Sequence, residues 1–272
     1  MNDNYNNVGF YNYNSANSQK HSFKSMQQFK TDIKMPDANE YLQKYNNSNF
    51  DEKKAIQDEY KQKIIDVCFD ENGKLNPQIK DFLDNTLFDI KQHNGNIEKS
   101  TIKDYLKNSA SDVYHLKSKL YHATSDSSVA EKIVQNGFNI DKISRTNLGP
   151  GFYFGLSEGD VNCYSSSILV ADCEGKCANF KERFYQNLKD AKITNQVAEF
   201  IGLNGKMTFP VVMWEAEALS KVLDTYTRET IVNDLGIDVA YGLGDTSYCY
   251  AVFNPNVISN IRKNEDDTSS LY

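Results

Sequence analysis

Apolar residues recur at helical spacing from Phe50 onward. Ile56, Tyr60, Ile64 and Val67-Cys68 share one face of a helix whose other face carries Lys, Gln, Asp and Glu. A second helix is predicted at Asn76-Pro77, a cap followed by proline in the first turn, with Ile79, Phe82-Leu83, Leu87 and Ile90 as its apolar face. A third starts near Ser100-Thr101 and carries Ile102, Tyr105 and Leu106. Beyond residue 115 the pattern changes to short aromatic and β-branched runs. Leu120 to Thr124 reads as a strand, and Ser127-Ser128 cap a helix that stops at Asn136-Gly137. Phe138 and Ile140 return to the core, and a basic loop with Lys142 and Arg145 follows. In Asn147-Leu-Gly-Pro-Gly-Phe-Tyr-Phe-Gly-Leu156, two glycines flank a proline, so a rigid turn feeds a short apolar strand. Ser165 to Ala171 reads as a strand, Lys181 to Asp190 as a polar helix, Thr208 to Trp214 as a strand, and Glu215 to Asp234 as one helix or a broken pair. Ile237 to Tyr241 and Tyr248 to Phe253 are the closing strands, ended by Asn254-Pro255. Short strands with helices between only some of them predict an α+β fold.

Composition sharpens this division. Residues 1–49 are poor in aliphatic side chains and dominated by Asn, Tyr, Ser, Lys and Gln. Such a segment buries too little apolar surface to offset its ordering entropy, so a disordered tail is expected. The expected organisation is that tail, a helical region over 50–115, a core domain over 116–263 and a polar tail over 264–272. The 272-residue chain has a net charge of −7, which does not suit charge-driven wrapping of nucleic acid. No apolar run reaches membrane-spanning length, and the polar N-terminus has no signal-peptide pattern. Five scattered cysteines fit reduced thiols and an intracellular place of work, in cytoplasm or nucleus, or in a host cell if the protein is exported.

Candidate chemistry is sparse. His21, His93 and His115 lie in polar contexts without a partner pattern. His122 differs, standing in a strand between Tyr121 and the small residues Ala123 and Thr124, where a ligand can approach the backbone. Asp70-Glu-Asn-Gly-Lys74 has its glycine at the wrong place for a calcium loop. Cys173 and Cys177 lack the second ligand pair that zinc requires and read as a turn with buried thiols, so no metal is expected.

In order along the chain stand Tyr121-His-Ala-Thr124, a helix ending at Asn136-Gly-Phe138, Gly149-Pro-Gly-Phe-Tyr-Phe154, Tyr164 eleven residues after Tyr153, and the closing pair Gly236-Ile-Asp-Val-Ala-Tyr-Gly242 and Tyr250-Ala-Val-Phe-Asn-Pro-Asn-Val-Ile258. This series resembles the H-Y-E branch of the ADP-ribosyltransferase superfamily, the PARP-like and diphtheria-toxin-like enzymes, over roughly residues 117–262. The resemblance implies a split antiparallel β-sandwich. It also implies mono-ADP-ribosyl transfer from NAD to a macromolecular acceptor, a protein above all, with release of nicotinamide. NAD would be cleaved between nicotinamide and ribose through an oxocarbenium-like transition state. By the same resemblance Tyr153 and Tyr164 wall a slot for the flat cationic ring, and the backbone of Ala123 holds the carboxamide. His122 meets the adenosine ribose, Thr124 supports it, Gly151 lets the chain approach, and Arg145 reaches the pyrophosphate.

Two positions depart from the family pattern. Cys249 stands where the family carries its catalytic glutamate, and a neutral thiol supplies none of that group's charge. Val161 stands where many relatives have a serine. The alternative implied is a catalytically inactive NAD- or ADP-ribose-binding or interaction module. Other acids nearby are Asp245 in the same loop and the pair Glu215 and Glu217, which reads as the charged first turn of a helix.

Overall fold

Polar caps start the N-terminal helices. Asp37 caps α1 (Ala38–Asn47), Asn49 and Glu52 form a reciprocal capping box on α2 (Phe50–Cys68), and Asn76 caps α3 (Pro77–Asn85). The computed structural model describes residues 35–91, 96–165, 167–203 and 209–264. The expected tail over 1–49 is thereby corrected in part: residues 1–34 lie outside the described residues, but α1 is a helix whose Tyr41 is buried and hydrogen-bonded to Glu59 at 2.6 Å. The 264–272 tail lies outside the description from residue 265. Leu87 and Ile90, expected on the second helix, instead lie in β1 (Leu87–Lys91), a strand paired with β2 (Ile97–Thr101). That helix ends at Thr86, whose hydroxyl turns back to Phe82 O at 2.7 Å. Thr101 then caps α4 (Ile102–Ser109).

The rest is built on a mixed sheet, so the fold is α+β. Its strands are β3 (Ala110–Thr124), β4 (Ser144–Thr146), β5 (Gly149–Phe154), β6 (Ser167–Phe180), β7 (Val239–Leu243), β8 (Tyr248–Val252) and β9 (Ile258–Lys263). β3 runs antiparallel to β6 along its length, and β9 lies on the other edge of β6. β5 pairs with β8, and β8 with β7. Between β3 and β5 there is one isolated bridge, Tyr121↔Gly155. The helices between strands are α5 (Ser127–Asn136), α6 (Glu158–Val161), α7 (Phe184–Asp190), α8 (Ile193–Ile201) and α9 (Val211–Glu229).

Two sequence expectations fail here. The expected strand over 208–214 is the first turn of α9 from Val211 on, Thr208 lying outside the described residues. Val211, Trp214, Ala218, Leu219, Val222, Leu223 and Tyr226 repeat at helical spacing and are all buried, which overrides the β-branched Val-Val pair. The expected turn at Cys173-Glu-Gly-Lys-Cys177 is a continuous part of β6. Ala171, Cys173 and Cys177 point inward while Glu174 and Lys176 point out, a strand alternation. Trp214 meets Tyr45 and Tyr60 edge-on, so α1, α2 and α9 pack on one another. The buried cluster they form continues through Phe184 and Leu148 to Ala240, Ala251 and Phe253, so the helical region and one face of the sheet share a core. A second cluster on the other face joins Leu116, Leu120, Phe152, Phe154, Tyr250 and Val252.

Candidate functional site

The site is the place where β3 and β5 part. Tyr121 and Gly155 exchange both backbone hydrogen bonds, at 2.9 and 2.8 Å. Continued antiparallel pairing would next join Ala123 to Tyr153. No such pair forms. Instead the Tyr153 carbonyl accepts a hydrogen bond from His122 Nδ1 at 2.7 Å. Backbone groups two residues apart on a strand face the same way. The N–H and C=O of Ala123 therefore follow those of Tyr121 toward the split and meet no strand there. Ala123 itself is only partly buried.

His122 is half-buried, its ring 5.1 Å from that of Phe138 and 5.2 Å from that of Phe154. Burial lowers its pKa below the ordinary histidine value, against the opposing effect of the Tyr153 carbonyl. The neutral ring that donates from Nδ1 keeps Nε2 as an acceptor. Thr124 is committed to the strand end. Its hydroxyl lies 3.0 Å from Asp126 O and 3.2 Å from Ser167 O.

On β5, Gly149 has φ +91°, a conformation side chains resist, and Gly151 faces Val252 O so closely that a Cβ would stand 3.1 Å from it. These glycines let β5 lie tightly between β4 and β8. Arg145 falls on β4 opposite Pro150, and its side chain lies outside the described residues. Tyr153 pairs with Ala251, which puts Cys249 on the same face as the Tyr153 side chain and diagonally next to it. The Tyr153 hydroxyl donates to Gly149 O. Cys249 is half-buried, and burial, reinforced by the Asp245 carboxylate, pushes its thiol up to about 11 against an opposing effect of the Gly244 backbone. The Cys249 thiol is therefore uncharged at neutral pH.

Tyr164 follows α6 and is 64% exposed, its hydroxyl 3.1 Å from Thr246 Oγ1 in the β7–β8 hairpin. Val161 is buried. Asp245 accepts from Asn147 N–H at 3.4 Å, and the Asn147 amide donates to Gly244 O at 3.1 Å, so the loop before β5 fastens that hairpin. Glu215 does not form a charged surface turn with Glu217. It is 6% exposed, accepts from Tyr60 Oη at 2.9 Å and has its pKa raised by burial. Sequence reading missed Thr246, and it gave Asn147 no role of its own, because the contacts of these small polar loop residues cross the chain.

Among the described residues there is no group of three His, Cys, Asp or Glu side chains able to hold a metal ion, and no helix is long and apolar enough to cross a membrane. Comparison with protein-family models, curated proteins and solved structures finds no match to this chain.

Proposed function

We propose that the split between β3 and β5 binds NAD and that the protein is an ADP-ribosyltransferase-like domain acting on a protein acceptor. The observation that carries this reading is the interrupted ladder. Ala123 turns a backbone donor and acceptor toward the gap, the pair of groups a carboxamide needs, while His122 caps the Tyr153 carbonyl that would otherwise accept from the Ala123 N–H. The sheet runs continuously from β3 through β6, β7 and β8 to β5, and β3 meets β5 only at the one bridge, an opening that supports the split β-sandwich the motif resemblance implies. The residues present fit the dinucleotide. His122 Nε2 can accept from a ribose hydroxyl, and Tyr153 and Tyr164 approach from β5 and from the end of α6 as two walls. NAD would supply an ADP-ribosyl group, its bond to nicotinamide breaking with nicotinamide as the leaving group while an acceptor nucleophile bonds to the ribose. The chain's part is to hold the carboxamide, flank the ring and orient the ribose.

Cys249 favours a second reading, in which the same slot binds NAD or ADP-ribose without turning it over. Its neutral thiol offers no charge to the developing cation. Incubation with NAD labelled in the adenylate, together with calorimetric titration of unlabelled NAD, separates the two. Binding that Tyr153→Ala abolishes, with label passing to an added protein, is the expected result for the enzyme. Binding without transfer leaves the second reading. Absence of NAD binding to the wild-type chain overturns both.

A further inference from the structure

Away from the slot, Arg228 in the last turn of α9 lines two adjoining hollows. One, of about 380 Å³, is walled by Ile140, Val232 and Phe253 and rimmed by Asn233, Asn254 and Asn256. The other, of about 350 Å³, holds Asp66, Asp70, Glu71 and Asp141 with Lys221. His122, Tyr153, Tyr164 and Cys249 line neither.

Arg228 is half-buried, and a guanidinium withdrawn from water needs compensation. Its N–H donors have no hydrogen-bond or ion-pair partner among the described residues, although ion pairs are common elsewhere on the chain. Glu229 and Asp141 act on it only through space, and Asp141 already pairs with Lys221 at 3.5 Å. The hollows differ in sign. No carboxylate lines the first, whereas four crowd the second. In the first, Asn254 is spent, its Nδ2 donating to Asp238 at 2.7 Å and its Oδ1 accepting from Asn256 N–H at 3.1 Å. The side-chain amides of Asn233 and Asn256 have no partner among the described residues.

We propose that the Asn-rimmed hollow is a second ligand site, for the phosphate group of a small molecule. Arg228 grips two of its oxygens through the guanidinium fork, which a lysine cannot reproduce. Asn233 and Asn256 donate to the remaining oxygens, and Ile140 and Val232 cover an apolar substituent. The acids of the neighbouring hollow keep the anion on this side of Arg228. The site lies where the end of α9 meets the segment after β8, so its occupant braces the helix that joins the helical region to the sheet.

The test titrates inorganic phosphate and phenyl phosphate into the full chain, with chloride matching the ionic strength. Saturable binding is expected, tighter for phenyl phosphate, at least tenfold weaker in Arg228→Gln and less weakened in Arg228→Lys. Tyr153→Ala should bind both as the wild type does. Equal affinity in wild type and Arg228→Gln, or no saturation in the wild type, overturns the proposal. So does loss in Tyr153→Ala with retention in Arg228→Gln, because the phosphate then sits in the NAD slot. If Arg228→Gln does not fold, Arg228→Lys carries the comparison, and undiminished affinity in it counts against the site. NAD is not used, so the result is independent of the function proposed above.

Discussion

Strand β3 meets its two neighbours in opposite ways. Toward β6 it is paired from Ala110↔Phe180 to Thr124↔Ser167, with one irregularity between Ser111 and Tyr114. Toward β5 it makes a single bridge and then parts company. Outside that irregularity the backbone groups on the first side are satisfied by the sheet and have nothing to offer a ligand. On the second side the sheet leaves a donor and an acceptor at Ala123, beside a histidine, a tyrosine and a glycine-rich turn. In the function proposed above, one strand is thus structural along one edge and chemical along the other.

The largest effect should come from the structural edge. Leu120 is fully buried beneath the β3–β6 ladder, and Leu120→Ala should lower stability by about 2–5 kcal/mol, the range for a deleted core leucine. Urea denaturation reads this directly. A loss well under 1 kcal/mol would mean that β3 is not anchored by this face.

On the chemical edge the strongest change is Cys249→Glu. The register of β8 on β5 aims this side chain beside Tyr153, and an electrostatic stabiliser of a developing cation is typically worth about 10²–10³ in rate. NAD hydrolysis, followed by release of nicotinamide, should rise toward that factor, with binding retained. An unchanged rate would show that residue 249 does not face the reacting bond.

These two edges were unequally legible in the sequence. The apolar period from Phe50, the cap at Asn76 and the start near Ser100-Thr101 placed the helix starts because such signals act within a few turns of chain. The motif order also put Tyr121-His122, Gly149 to Phe154 and Cys249 into one proposal. What could not be read was decided by contacts from afar. Val211-Val-Met-Trp214 has strand propensity, yet Trp214 is claimed by Tyr45 and Tyr60, and the segment is helical. Cys173 to Cys177 looked like a turn because the glycine and two cysteines hid an alternation that β3 completes. The parting of β3 from β5 beyond the Tyr121–Gly155 bridge is set by contacts between distant strands, which no local pattern records.

Ala123→Pro sharpens the comparison within one residue. Proline removes the N–H that faces the split, while the N–H groups that join β6 belong to its neighbours. Proline is tolerated in a strand where its missing donor points away from the ladder. NAD affinity should fall by about 10- to 100-fold, the worth of a buried hydrogen bond and its unpaired partner. The urea midpoint should move far less than in Leu120→Ala. Unfolding of Ala123→Pro would instead assign that N–H to the β6 ladder.

The smallest effect is the pH dependence of His122, the residue that stands on both edges at once. Its folded-state pKa lies below the ordinary value of 6.5 because burial disfavours the charged ring. Above about pH 6.5 folded and unfolded chains both carry it neutral, and stability does not respond. Below 6.5 the unfolded chain takes the proton first, so stability falls with pH until the folded-state pKa is passed, at no more than about 1.4 kcal/mol per pH unit. Glu215, whose pKa burial raises, contributes the opposite slope at lower pH, its stabilisation fading as pH rises. The informative quantity is therefore the difference between wild type and His122→Gln. That difference should be flat above pH 6.5 and should decline below it. A difference independent of pH would mean that His122 titrates alike in both states and is held at the split by its hydrogen bond to Tyr153 O alone.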